Sequence, residues 1–269
     1  DIAPDAEENS EVVVQLAGVK AGAFASLPAS NPAARIQLIK GLRGTFTVGG
    51  SSPDFPTLAD AVKALAQGVC GPVTFLLRDG VYAETVAIGN VAGASAANAI
   101  TIKGESGNRE AVVITGSKTD KDRGIVALAG ASHVTLEALT IKGTSKDVSA
   151  AVSISDGSSY TTIRNCYLEL PTPTTDIWND GGDVIYTHSS TEAGTPTINH
   201  TCVEGCTVVG GKIGIHLNGG QGNVNYPTGV GVVVRGNTVV SGRSKAIYVT
   251  DVTDFSIEGN SVLADAPSN

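Results

Sequence analysis

Five times along the second half of the chain, apolar and polar positions follow one six-residue order. The phrase runs Leu136 to Ile141, Ile163 to Leu168, Val203 to Val208, Val234 to Val239 and Ile257 to Val262. Its first and sixth residues are apolar, its second is charged, and its third is mostly Gly or Asn. Side chains alternate across a strand, so the first residue points inward and the charge outward. The third residue bends the chain where Gly or Asn tolerates a left-handed backbone, and the fourth points inward again. Successive phrases start 27, 40, 31 and 23 residues apart. The shortest interval suits one turn of a three-stranded coil, and longer ones imply inserted loops. Each phrase is preceded by a second apolar strand: Gly124–Leu128, Ala150–Ser155, Asp183–His188, Ile213–Asn218 and Ala246–Asp251. This pattern predicts an all-β chain wound as a right-handed parallel β-helix, in preference to a β-sandwich whose strands share the spacing by coincidence.

Stacked coils place equivalent residues above one another at about 4.8 Å. The fourth position reads Leu139, Cys166, Cys206, Asn237 and Asn260, so the two Asn predict an interior amide ladder. Cys166 and Cys206 are neighbours in that column. A disulfide and a stacked pair of thiols both fit; stacked thiols are preferred, because a ladder already orders these side chains. Cys70 and Cys202 carry no readable pairing, and none of the four Cys has zinc-finger spacing.

Upstream the period changes from two to that of a helix. Leu58, Ala61, Val62 and Leu65 share one face of a helix expected near 56–67, with Thr57 and Asp60 as a capping box and Gly68 at its end. A capping helix is expected where a solenoid would otherwise expose a strand edge. Strands at 72–77, 85–88 and 99–103 then read as the first coil. The solenoid is expected over 45–269, and the Ala/Ser/Pro-rich residues 1–44 read as an arm or linker, with one strand near Glu11–Leu16.

Composition narrows the partners. Aromatics are 4% of the 269 residues, Met is absent and Gly numbers 33, which suits a narrow core of Val, Ile, Leu and Ala with many tight turns. The formal net charge of −8, without a basic cluster, argues against nucleic acid and anionic membrane. No run approaches the length of a membrane span. The chain starts at Asp1 without a signal segment, which reads as a processed chain or a cut piece.

The stretches Asp54–Val62, Asp79–Val86, Ile100–Gly104 and Val113–Gly116 resemble the N-terminal part of pectin methylesterases, about a quarter of the chain. That resemblance implies a pectate-lyase-like solenoid. The catalytic phrases of that family, an Asp in Gln-Asp-Thr-Leu-Tyr and an Asp-Phe-Ile-Phe-Gly, do not occur here, so no catalytic residue carries over. Gly44–Phe55 and Gly68–Phe75 look like β-helix modules of large secreted bacterial surface proteins, often exported by the type IX route. This implies an extracellular or cell-surface location.

Outward columns on the strand preceding each phrase supply the candidate chemistry. One runs Ala127, Ser153, Tyr186, His216, Tyr248; the next runs Ala129, Ser155, His188, Asn218, Thr250. Rings at this spacing, with Trp178 on the adjacent insertion, suit a glycan-binding strip, the plainer reading being a cross-strand aromatic stack. Asp176, Asp180 and Asp183, with Asn179, offer hard oxygen ligands for calcium, although their spacing is no EF-hand pattern and solvated turn carboxylates are the preferred reading. The strip carries carboxylates and Lys only at its edges, through Asp183, Lys212 and Asp251, and none of the four His has a Ser or Cys partner motif. No catalytic set is therefore assigned. The expected role is a non-catalytic module for adhesion, assembly or glycan binding, with a polysaccharide lyase or carbohydrate esterase as the alternative. Polysaccharide or other surface proteins are the expected partners, and further domains or another subunit are expected at the C-terminal end.

Overall fold

The computed structural model describes residues 41–117, 119–120, 123–173, 182–187, 196–220, 228–241 and 243–264, with the backbone of Glu11–Gln15 and Ala33–Gln37, which pair antiparallel in a sheet of their own. Three parallel sheets surround one core. The first contains Leu42–Val48, Val69–Leu77, Ile100–Gly104, Val134–Glu137, Thr162–Arg164, Cys202–Glu204, Gly229–Arg235 and Val252–Glu258. The second runs from Gly80–Tyr82 through Val112–Gly116, Thr140–Gly143, Tyr167–Leu170, Thr207–Gly210 and Thr238–Ser241 to Ser261–Ala264. The third contains Val86–Ile88, Gly124–Ala129, Ala150–Ser155, Ile185–Thr187, Ile213–Asn218 and Lys245–Thr250. The chain visits the sheets in that order and returns one coil further along, as a right-handed parallel β-helix.

The six-residue phrase spans the corner between the first and second sheets. Its first residues, Leu136, Ile163, Val203, Val234 and Ile257, are in register, and the first four are fully buried. Its third residues are left-handed throughout: Ala138 (φ 53°), Asn165 (51°), Gly205 (60°), Gly236 (61°) and Gly259 (63°). That bend is what turns the fourth residue inward. Asn237 Nδ2 donates to Val203 O and to Asn260 Oδ1, both at 2.9 Å, and Asn237 Oδ1 accepts from Cys206 N–H at 2.9 Å.

The thiols continue this ladder, and all four Cys are reduced. Cys206 Sγ donates to Ile163 O and Cys166 Sγ to Leu136 O, the same class of carbonyl that the Asn amides engage. Each sulfur also accepts an N–H of the coil before, Cys166 Sγ from Leu139 and Cys206 Sγ from Cys166. The hydrogen bond to Cys206, then burial, pushes the Cys166 thiol up.

On the outer surface the charged second position forms a file in register: Lys103, Glu137, Arg164, Glu204, Arg235, Glu258. The sign alternates at every step. Arg164 Nη2 meets Glu137 at 2.8 Å and Arg235 Nε meets Glu204 at 2.8 Å. Beside this file lies Cys202, whose thiol is pushed up to about 11 by burial and then by Glu204. Raised above its unfolded value, it contributes stability that is complete below pH 9 and is lost as pH rises through about 11. A Cys202→Thr variant, which continues the column Thr135–Thr162, should be neutral at pH 7 and lose that alkaline component. Urea midpoints at both ends of the window check this, and an unchanged alkaline slope would contradict it.

The helix spans Leu58–Ala64 and continues as one 3-10 turn over Leu65–Gln67. Thr57 caps it, accepting from Asp60 N–H at 3.0 Å. Glu84 takes the next free donors, Leu58 N–H at 3.2 Å and Ala59 N–H at 2.8 Å. The helix packs against Val86–Ile88, the first strand of the third sheet, where no earlier strand lies. Tyr82 OH ties Val48 O and Arg78 O, each at 2.8 Å. Tyr82 and Glu84, both within the esterase-like stretch Asp79–Val86, therefore do structural work. Three of the five Phe (46, 55 and 75) close this end, with centroids 5.6–6.0 Å apart.

Candidate functional site

The third sheet carries the outward column in register: Ala87, Ala127, Ser153, Tyr186, His216 and Tyr248. Ala127 and Ser153 are buried, whereas Tyr186, His216 and Tyr248 are half-buried. The aromatic part is no flat platform. Tyr186 and His216 are tilted by 56° with centroids 5.5 Å apart, and His216 and Tyr248 by 35° at 5.0 Å. Lys245 Nζ lies 3.2 Å from the centre of the Tyr248 ring, covering one face with a cation–π contact. Asn218 turns its Oδ1 to Gly220 N–H at 2.8 Å.

Asp183 is buried against this column, at 6% exposure, with its Oδ2 2.7 Å from His216 Nδ1. Its Oδ1 accepts from Ile213 N–H at 3.2 Å. A carboxylate accepts, so the imidazole places its proton on Nδ1 and leaves the Nε2 lone pair for chemistry. The backbone holds Asp183 closely. A Cβ on the preceding Gly182 would sit 2.0 Å from Ser149 O, and Gly182 O accepts from Lys212 N–H at 2.8 Å.

Of the residues expected from sequence, Tyr186, His216, Tyr248 and Asp183 come together, with Asn218 on the next column. His188, Trp178, Asp176 and Asp180 lie outside the described residues. Both carboxylate oxygens of Asp183 are already engaged by protein, and among the described residues no group of three His, Cys, Asp or Glu is arranged to hold a metal ion. Lys245 was not read from the sequence, because strand parity assigns it inward. It opens its strand and is exposed there.

A second aromatic file was also not read. His133, Tyr160 and His200 stack face to face, at 4.6 Å and 2°, then 4.5 Å and 11°. All three are left-handed, as are Gly231 and Asp254 at the equivalent places. The signal lies three residues before each phrase, at 133, 160, 200, 231 and 254. Because these rings cover one another's faces, they offer solvent mainly edges.

No protein family and no curated protein matches the sequence. Solved structures do match in fold. The deglycosylated pectin methylesterase of Aspergillus niger aligns with TM-score 0.57 at 15% identity, over 85% of this chain and 69% of that one. A pectin methylesterase in complex with a hexasaccharide aligns at 0.53 and 15%, over 82% and 66%. The carrot enzyme aligns at 0.50 and 18%, over 78% of this chain and 56% of that one. At these identities the likeness is one of fold. Among the described residues, no helix is long and apolar enough to cross a membrane.

Proposed function

We propose that this chain is an extracellular carbohydrate esterase that hydrolyses an ester on a polysaccharide laid along the third sheet. The observation that carries the proposal is the buried Asp183 bonded to His216 at 2.7 Å. A general base needs an orienting partner, and this pair has that form. His216 Nε2 takes a proton from water, the resulting hydroxide adds to the ester carbonyl, and the imidazolium returns the proton to the departing alcohol. Asp183 holds the imidazole in the required tautomer and offsets its transient positive charge. Lys245 supplies a cation beside Tyr248 for the developing oxyanion, and Tyr186 and Tyr248 offer ring edges and hydroxyls to the sugar. The fold shared with pectin methylesterases supports an ester substrate.

The esterase reading is preferred to the non-catalytic module expected from sequence, because Asp183 orients the His216 imidazole as a general base requires and the fold is shared with carbohydrate esterases. The test is release of alcohol or acid from a panel of methyl- and acetyl-esterified polysaccharides. Wild-type turnover is expected, with His216→Ala lower by about 10²–10⁴-fold. No release from any ester by a folded wild type, or an unsaturated uronate product, would overturn the assignment.

A further inference from the structure

In the first coil, and again from the third onward, two residues join the first sheet to the second. In the second coil the segment 105–111 replaces them, between Ile100–Gly104 and Val112–Gly116. It is laid along the second sheet toward later coils. Thr140 Oγ1 donates to Arg109 O at 2.9 Å. The Arg109 guanidinium donates to Cys166 O at 3.3 Å and to Thr207 Oγ1 at 3.0 Å. These anchors fall on the third, fourth and fifth coils, so one residue reaches across about 10 Å of solenoid.

Beyond the guanidinium opens a polar groove of about 480 Å³. Asn165, Gly205 and Gly236 form its corner, Thr207 and Thr238 its floor, and Glu110 its rim. The left-handed turns call for Gly, and they also strip the corner of side chains. A Cβ on Gly236 would meet nothing within 4 Å. An Arg carries five N–H donors. Two of them bond the protein, and no other protein partner among the described residues takes the rest.

We infer that this groove binds a carboxylate-bearing sugar residue, a hexuronate within an extended chain, as a site separate from the third sheet. Arg109 meets the carboxylate with its remaining N–H groups, and the Thr207 and Thr238 hydroxyls, one coil apart, meet sugar hydroxyls. Glu110 at the rim opposes a group more densely charged than a single carboxylate. That the ligand is a carbohydrate rests on the esterase reading; that it bears a carboxylate rests on Arg109. Bound here, a polysaccharide would be held on one flank of the solenoid while another segment is processed on the third sheet.

The test is calorimetric titration of the full chain with trigalacturonate, its methyl-esterified counterpart and inorganic phosphate. Trigalacturonate should bind, and Arg109→Gln should weaken it about tenfold or more. Because that variant also loses two anchors, Gly236→Asp provides an independent probe. Asp tolerates the left-handed backbone and adds a repelling charge, so it should weaken binding more than Gly236→Asn. Equal binding of the methyl ester, displacement by equimolar phosphate, or indifference to both Arg109→Gln and Gly236→Asp would overturn the site. Uronate binding lost in His216→Ala but kept in the corner variants would move the ligand to the third sheet and leave the esterase reading standing. Corner binding without any ester turnover would remove the esterase reading alone.

Discussion

Asn237→Ala is expected to lower the stability of the fold by about 3 kcal/mol, while Asn237→Cys stays within about 1 kcal/mol of wild type. Asn237 is 1% exposed and lies at the point where the interior ladder passes from thiols to amides. Alanine removes three hydrogen bonds at once. It leaves the Cys206 N–H and the Val203 carbonyl buried without their partner, and Asn260 Oδ1 without the Asn237 amide donor. Cysteine differs because Cys166 and Cys206 already show a thiol both donating to a main-chain carbonyl and accepting the preceding N–H. Asn237→Asp should be worse than alanine, since a buried charge would face Val203 O without a proton to share. Urea unfolding of the three variants ranks them. Equal losses for Cys and Ala would show that the thiols merely fill space.

Asp183→Asn is expected to cut ester turnover by about 10³–10⁴-fold while leaving KM and stability near wild type. Ile213 N–H is a fixed donor to Oδ1, so the amide oxygen would settle there and its NH₂ would face His216 Nδ1. The imidazole would then accept at Nδ1 and carry its proton on Nε2, the wrong tautomer for a base. Gly182→Ala should reproduce much of the loss while retaining both side chains, because its Cβ would collide with Ser149 O and displace Asp183. Histidine NH resonances in the folded variants read the tautomer directly. An Asp183→Asn enzyme with wild-type kcat would show that the pair only fastens two coils together.

The solenoid was legible because its information is local. Within each phrase, the period of two and the small third residue predict the inward fourth residue and the left-handed bend, as Asn165, Gly205 and Gly236 show. Even Ala138, which is neither Gly nor Asn, follows the corner geometry that its neighbours impose. The pairing of Asp183 with His216 was not legible. It joins residues 33 apart on neighbouring coils, and the alternation that aligns Tyr186 with His216 does not say where Asp183, ahead of the strand Ile185–Thr187, turns its side chain. Lys245 escaped for a different reason, since alternation fails where a strand begins. The His133–Tyr160–His200 file has a fixed offset from the phrase, but His and Tyr share no hydropathy that would mark them as one position.

The alternating outer file carries a rule about how such a chain can lengthen. Each charge from Glu137 to Arg235 sits between two of opposite sign. Duplicating or deleting one coil would set two like charges level, on adjacent strands, at a place where the partners are otherwise bonded at 2.8 Å. Gaining or losing two coils preserves the order. The same parity discriminates against a strand that docks one coil out of place during folding, although its apolar residues would fit the core equally well. The surface therefore counts coils in pairs.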